Sequence, residues 1–166
     1  MLSNTVMKKP QKPKTEPLRI QTLNELGLLD SEPDPQLDRL TEFVAHVFCV
    51  PVALISLVDS DRQWFKSKVG LEACETSRDV SFCGHAILGP DVFVVPNALK
   101  DERFKDNPLV TGPPYIRFYA GAPLIHNNGS ALGTLCLIDI EPRNFDDDDI
   151  KVLREVADKV MWEFCH

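Results

Sequence analysis

Residues 118–139 constrain this chain more than any other stretch. FYAGAPLIH and SALGTLCLID are two strand-like runs separated by NNG, and Asn128-Gly129 is the dipeptide that accepts the positive φ angles of a tight reversal. An antiparallel hairpin is therefore predicted here. A second apolar run, VALISLVD after Pro51, is rich in β-branched residues and apolar on both faces, as a central strand covered by helices must be. SDR turns it into QWFKSKVG, a partner strand of mixed polarity, and DVFVVPN reads as a short further strand.

Helical spacing supplies the covers. Leu18, Leu23 and Leu26 predict a short helix that stops near Gly27. Asp34 caps a longer one, Pro35 suits its first turn, and Leu37, Leu40, Phe43, Val44, Val47 and Phe48 form one apolar face. In FDDDDIKVLREVADKVMWEFCH, the aspartates at 146–149 sit where a helix N-terminus has unpaired amides, and Ile150, Leu153, Val156, Val160 and Phe164 follow at helical spacing. The run lacks the glycine bend and distal glutamate of a calcium loop. No glycine or proline stops this helix, so it either frays at its end or continues into a further module; we expect the second. Residues 71–80 and 98–114 read as loops, the latter a long excursion of the kind that often carries function.

The pattern of two helices, a hairpin, a helix with strand and loops, a second hairpin and a closing helix is α+β with a mostly antiparallel sheet. With 166 residues, 43% of them hydrophobic, one core is expected. The net charge of −7 argues against a general nucleic-acid or anionic-membrane surface. The longest apolar runs fall short of a bilayer span and the N-terminus has no hydrophobic signal region, so a cytoplasmic location is expected. Residues 1–17 are polar and rich in lysine and proline and read as a disordered basic arm, leaving 18–166 as the folded domain. Five cysteines without a CxxC pair make no disulfide framework, and Cys49 and Cys136, among apolar neighbours, are expected to be small core residues.

The candidate site centres on SFCGHAIL, residues 81–88. As a helix it would turn Cys83 and His85 about 200° apart, so the two side chains would not act on one atom. A thiol nucleophile needs a nearby base or cation, and an apolar setting raises its pKa; a zinc site would need Cys74 and Cys136 to converge as well. We therefore expect no catalytic residues and no metal ligands, and read Phe82, Cys83 and His85 as contacts on a lid over a pocket. Arg103, Phe104 and Asn107, then Tyr115, Arg117 and Tyr119, offer better contact chemistry: guanidinium groups to clamp an anion and aromatic rings to stack on a ligand. The alternative is that both arginines pair with Asp59, Asp61, Asp101 or Asp106 to pin the loop. Trp64 and Phe65 are adjacent and face opposite ways, and Trp64 is taken as the pocket wall.

LLDSEPDPQLDRLT, VPVALISLVDSDRQWFKS, SFCGHAI, DERFKDNPLVTGPPYIRFYAGAPL and GTLCLIDIEPRNF, in that order, resemble a GAF domain of the type beside histidine kinase and diguanylate cyclase modules in bacterial signalling proteins. The resemblance covers about residues 18–164. It implies a profilin-like, mostly antiparallel sheet of five to six strands, with terminal helices on one face and a loop and helix cover over a pocket on the other. It also implies a sensory or regulatory module that binds a small molecule, forms a homodimer through its terminal helices, or does both, acting on a kinase or cyclase output. The cofactor is left unknown. Bilin-binding members attach the chromophore at a cysteine directly followed by histidine, whereas Gly84 intervenes here, and the cyclic-nucleotide signature is not traceable in order. A reductase branch acting on free methionine sulfoxide, and a purely structural dimerisation domain, are the rival readings.

Overall fold

A computed structural model describes residues 7–166; residues 1–6 of the expected arm lie outside the described residues. Six strands form one antiparallel sheet in the order β3-β2-β1-β6-β5-β4. They are β1 (Val52–Val58), β2 (Arg62–Val69), β3 (Glu75–Ser77), β4 (Phe93–Val95), β5 (Phe118–Ile125) and β6 (Ala131–Asp139). The central strands β1 and β6, and β5 beside them, are buried almost throughout, which is why their sequences are apolar on both faces.

The β5–β6 hairpin closes differently from the Asn-Gly expectation. The amide of His126 donates to the carbonyl of Ser130 at 2.8 Å, and that of Gly129 to the carbonyl of His126 at 2.8 Å. This is a three-residue loop in which Gly129 alone takes a positive φ, +88°. Asn128 works through its side chain instead, accepting from the Ser130 amide and donating to Thr22 Oγ1.

Three helices cover one face: α1 (Glu16–Glu25), α2 (Pro35–Val47) and α5 (Asp147–Cys165). Asp34 caps α2 by accepting from the Gln36 amide at 2.9 Å. Asp146 and Asp149 form a reciprocal capping box at the start of α5. Leu37 and Val44 of α2 and Leu153, Val156 and Val160 of α5 meet Ile55, Leu135 and Leu137 of the sheet. Cys49 is not a core residue. It is exposed at φ +53°, the position just past α2 where Cys49 and Val50 return their amides to the carbonyls of His46 and Ala45. Cys136 is buried, as its neighbours imply.

The opposite face is covered by short pieces. The stretch 71–80, read as loop, contains β3 and a 3₁₀ turn at Arg78–Val80; the excursion contains a 3₁₀ turn at Ala98–Lys100 and α4 (Pro108–Thr111). Between them lies α3 (Phe82–Ala86), the helix expected from SFCGHAIL. Residues 7–14 carry no helix or strand, yet Lys9 pairs with Asp79 at 3.5 Å, and α1 begins at Glu16, inside the span assigned to the arm.

Candidate functional site

The short pieces enclose a cavity of about 330 Å³ against the sheet. Its floor is Val52 and Leu54 of β1 with Cys136 and Ile138 of β6, whose register pairs Leu54 with Cys136 and Val52 with Ile138. Gln63 and Phe65 of β2 and Tyr119 of β5 form side walls. The lid is Phe82 and Cys83 of α3, and the rim is built from the 71–76 segment and from Leu109, Pro113, Pro114 and Ile116.

Local hydrogen bonds hold the lid in place. Ser81 caps α3, accepting from the Gly84 amide at 3.0 Å and donating to the Arg78 carbonyl at 2.7 Å. A side chain at Gly84 would press on both the arm and the cap: a Cβ there would stand 2.7 Å from Pro10 Cγ and 2.7 Å from Ser81 Oγ. Asn107 is almost fully buried and joins the two covers, accepting from the Leu109 amide to cap α4 and donating to the Val80 carbonyl at 3.0 Å. Phe104, fully buried, stacks flat on Phe82 with ring centroids 4.0 Å apart and supports it from behind.

Cys83 and His85 do point different ways. Cys83 Sγ faces the sheet, where the Tyr119 hydroxyl donates to it at 3.1 Å, Thr134 Oγ1 lies at 3.1 Å and Cys136 Sγ at 4.0 Å. Burial pushes the Cys83 thiol up, but the polar side chains of Cys136, Thr134 and Tyr119 gathered around its sulfur outweigh it and hold the thiol below its usual range. Burial and the neighbouring Cys83 push Cys136 well above. His85 turns outward, its Nε2 within 3.3 Å of the Lys8 carbonyl and its ring edge-on to Phe104. Burial lowers its pKa, and it does not line the cavity.

Of the ten residues singled out in the sequence, the cavity therefore brings together Phe82, Cys83 and Tyr119. Arg103 is committed elsewhere: its Nε and Nη2 grip both oxygens of Asp101 at 3.0 and 2.7 Å, and its guanidinium lies over the Phe93 ring. Arg117 spends Nη1 on the carbonyls of Val110 and Ile116. Tyr115 is half exposed at φ +61°. Trp64 lies on the wrong face: it opposes Leu57 across the β1–β2 ladder and packs into the core under the helices, so that Phe65 is the wall. The residues that sequence reasoning missed include Leu54, Gln63, Cys136 and Ile138. Strand alternation combined with the β1–β6 pairing is the signal that finds them, since it places Leu54 and Cys136 on the face opposite Ile55 and Leu135.

Among the described residues, no three His, Cys, Asp or Glu side chains gather as metal ligands, and no helix is long and apolar enough to cross a membrane.

Residues 32–164 match the GAF domain family. A cyclic di-GMP phosphodiesterase of Pseudomonas aeruginosa is 44% identical over 156 residues, which are 93% of this chain and 27% of that protein, so the chain spans little more than a quarter of its relative. The GAF domain of an Acinetobacter phosphoenolpyruvate-protein phosphotransferase superposes with a TM-score of 0.65 at 20% identity, over 90% of this chain and 94% of that one. The free methionine-R-sulfoxide reductase of Neisseria meningitidis, solved in complex with its substrate, gives 0.64 at 19% identity, over 96% and 95%. At such identities these structures testify to the fold alone. The order of strands, the helices gathered on one face and the family match over 32–164 lead to one assignment: the chain belongs to the GAF domain family.

Proposed function

We propose that this GAF domain is a sensory module with no catalysis of its own, which binds a small molecule in the cavity and passes its occupancy to an output that acts on cyclic di-GMP. The observation that carries the reading is the cavity itself, set over one sheet face and closed by segments of three to five residues that can shift more readily than the packed helices. The relative's name supports cyclic di-GMP turnover as the output; a kinase is the other output considered. A homodimer through the terminal helices α1 and α5 fits the same reading, because Leu18 on α1 and Trp162 on α5 are large apolar side chains left exposed.

The reductase reading draws on the Cys83–Cys136 pair at 4.0 Å. Against it, no Lys, Arg or His side chain lines the cavity to sustain a thiolate during turnover, and His85 faces away. Native mass spectrometry of the chain purified from cells tests the proposal. A single noncovalent small-molecule adduct per chain is expected. Its absence, together with reduction of methionine sulfoxide that disappears in Cys83→Ser, overturns the sensory reading.

A further inference from the structure

We infer that the cavity selects a neutral, largely apolar ring compound carrying one carbonyl or hydroxyl group, and rejects molecules that bear phosphate or carboxylate. This rests on the reading that the cavity is the ligand site, and it names the class of ligand. The first ground is charge. Among the residues that line the cavity, Glu72 alone carries a formal charge, and that charge is negative and sits on the rim. An anion placed inside would lose its water and gain no cation, which costs several kcal/mol in ordinary protein interiors.

The basic groups of the cover cannot supply the missing cation without breaking what holds the cover together. Arg103 is engaged by Asp101 through two hydrogen bonds, and Arg117 by the carbonyls at the base of α4 and β5. Lys68, the lysine beside the rim, donates to the carbonyls of Glu72 and Ala73. His85 faces the arm.

Polarity inside the cavity is just as limited. Cys83, Tyr119 and Thr134 satisfy one another. Gln63, nearly buried, donates from Nε2 to Thr76 Oγ1 at 2.6 Å and accepts through Oε1 from Ser56 Oγ at 2.9 Å. An amide has two N–H donors and two carbonyl lone pairs, so Gln63 keeps one of each, enough for a single carbonyl or hydroxyl on a ligand. The Thr76 hydroxyl is taken up by Gln63 and the Ser77 carbonyl; beyond it, Cys136 and the rim Glu72, the wall is aliphatic or aromatic, with Phe65, Phe82 and Tyr119 able to pack on a ring. The volume of about 330 Å³ is roughly twice that of an apolar protein cavity known to hold benzene, which sets the ligand at about two fused rings.

Isothermal titration calorimetry on the full chain decides the matter, with 2-naphthol as the neutral probe and cyclic di-GMP and cyclic AMP as anionic comparators. One 2-naphthol per chain is expected, with a Kd at least about 100-fold below that of either nucleotide. Leu109→Trp fills the mouth from one rim and abolishes binding; Ala73→Trp, on the opposite and exposed rim, does the same should the first variant not fold. A nucleotide that binds as tightly as 2-naphthol overturns the ligand class and leaves the ligand-binding reading in place. Failure of all three probes, or 2-naphthol binding untouched by both rim variants, overturns the class and the cavity reading together.

Discussion

Leu135 and Ile55 look out from the centre of the sheet onto side chains of α2 and α5, whereas their strand neighbours Cys136 and Leu54 look onto a cavity. The same two strands thus serve a packed core on one face and wall a cavity on the other. The difference lies in the covers. The 13-residue α2 and the 19-residue α5 present continuous apolar stripes that interdigitate with the sheet. On the other face α3 has five residues and α4 four, and each is held by its capping side chain, Ser81 or Asn107, rather than by a stripe. Segments that short cannot fill a sheet face. What they leave over is a cavity, so dense packing and open space fall on opposite sides of one sheet.

Two truncations of the same residue type put this contrast to the test. Leu135→Ala, on the helix side, is expected to cost about 3–5 kcal/mol, because its neighbours surround it and relax only in part. Leu54→Ala, on the adjacent strand and equally central, is expected to cost about 2 kcal/mol, since a side chain that already borders a void has fewer contacts to lose. Urea unfolding midpoints at unchanged m-value measure both. Equal costs would break the comparison, for they would mean that the cavity side is packed as densely as the helix side.

One cluster ties the two covers together, and its removal falls between those two truncations in size. Glu16, the first residue of α1, receives Arg19 at 2.8 and 3.1 Å and Arg78 at 2.6 and 3.2 Å. Arg19 and Arg78 are almost fully buried, and they also donate to the carbonyls of Val58 and Asp59. Glu16→Gln leaves both guanidinium groups without a counter-charge and is expected to cost about 2–4 kcal/mol. Burial pushes the Glu16 carboxyl up, but the hydrogen bonds and charges of Arg19 and Arg78 outweigh it and bring its pKa to about 2 from 4.5. The folded value lies below the unfolded one, so this contribution is complete above about pH 5 and drains away as the pH falls towards 2. The stability gap between wild type and Glu16→Gln should therefore narrow over that window; a gap independent of pH would show that the pair of arginines is held by the carbonyls alone.

The helix side was legible in the sequence because a helix writes its buried face as a one-dimensional period. Leu37, Val44, Leu153, Val156 and Val160 follow that period, and Asp34 and Asp146 mark where it starts. The cavity side obeys no such period. Val52 and Leu54 belong to a strand that is apolar on both faces, so alternation alone does not say which set meets the helices. Adjacency set Trp64 and Phe65 on opposite faces without saying which was which; the β1–β2 pairing decides it. Asn107, Arg103 and Arg117 looked like contacts for a ligand and are instead fasteners, because their partners are carbonyls and a carboxylate brought near by the tertiary fold. Cys49 had apolar neighbours but occupies a helix end, where backbone direction outweighs composition.

The smallest expected effect concerns how the cavity cover is itself covered. Pro10 of the arm lies across Gly84, and His85 faces the Lys8 carbonyl, so the arm forms an outer layer on the lid helix. Gly84→Ala places a methyl group 2.7 Å from both Pro10 Cγ and the capping Ser81 hydroxyl. The arm can move aside more cheaply than the cap, since it contributes neither helix nor strand, so the expected cost is about 1 kcal/mol, the size of a weakened helix cap. The informative readout is limited trypsin digestion after Lys8 and Lys14, the arm lysines not followed by proline. Faster cleavage there in Gly84→Ala, with the body of the chain still resistant, would show that the lid carries the arm as a separate layer. Cleavage rates unchanged from wild type, alongside the same loss of stability, would place the whole effect in the Ser81 cap and make the cavity cover one layer deep.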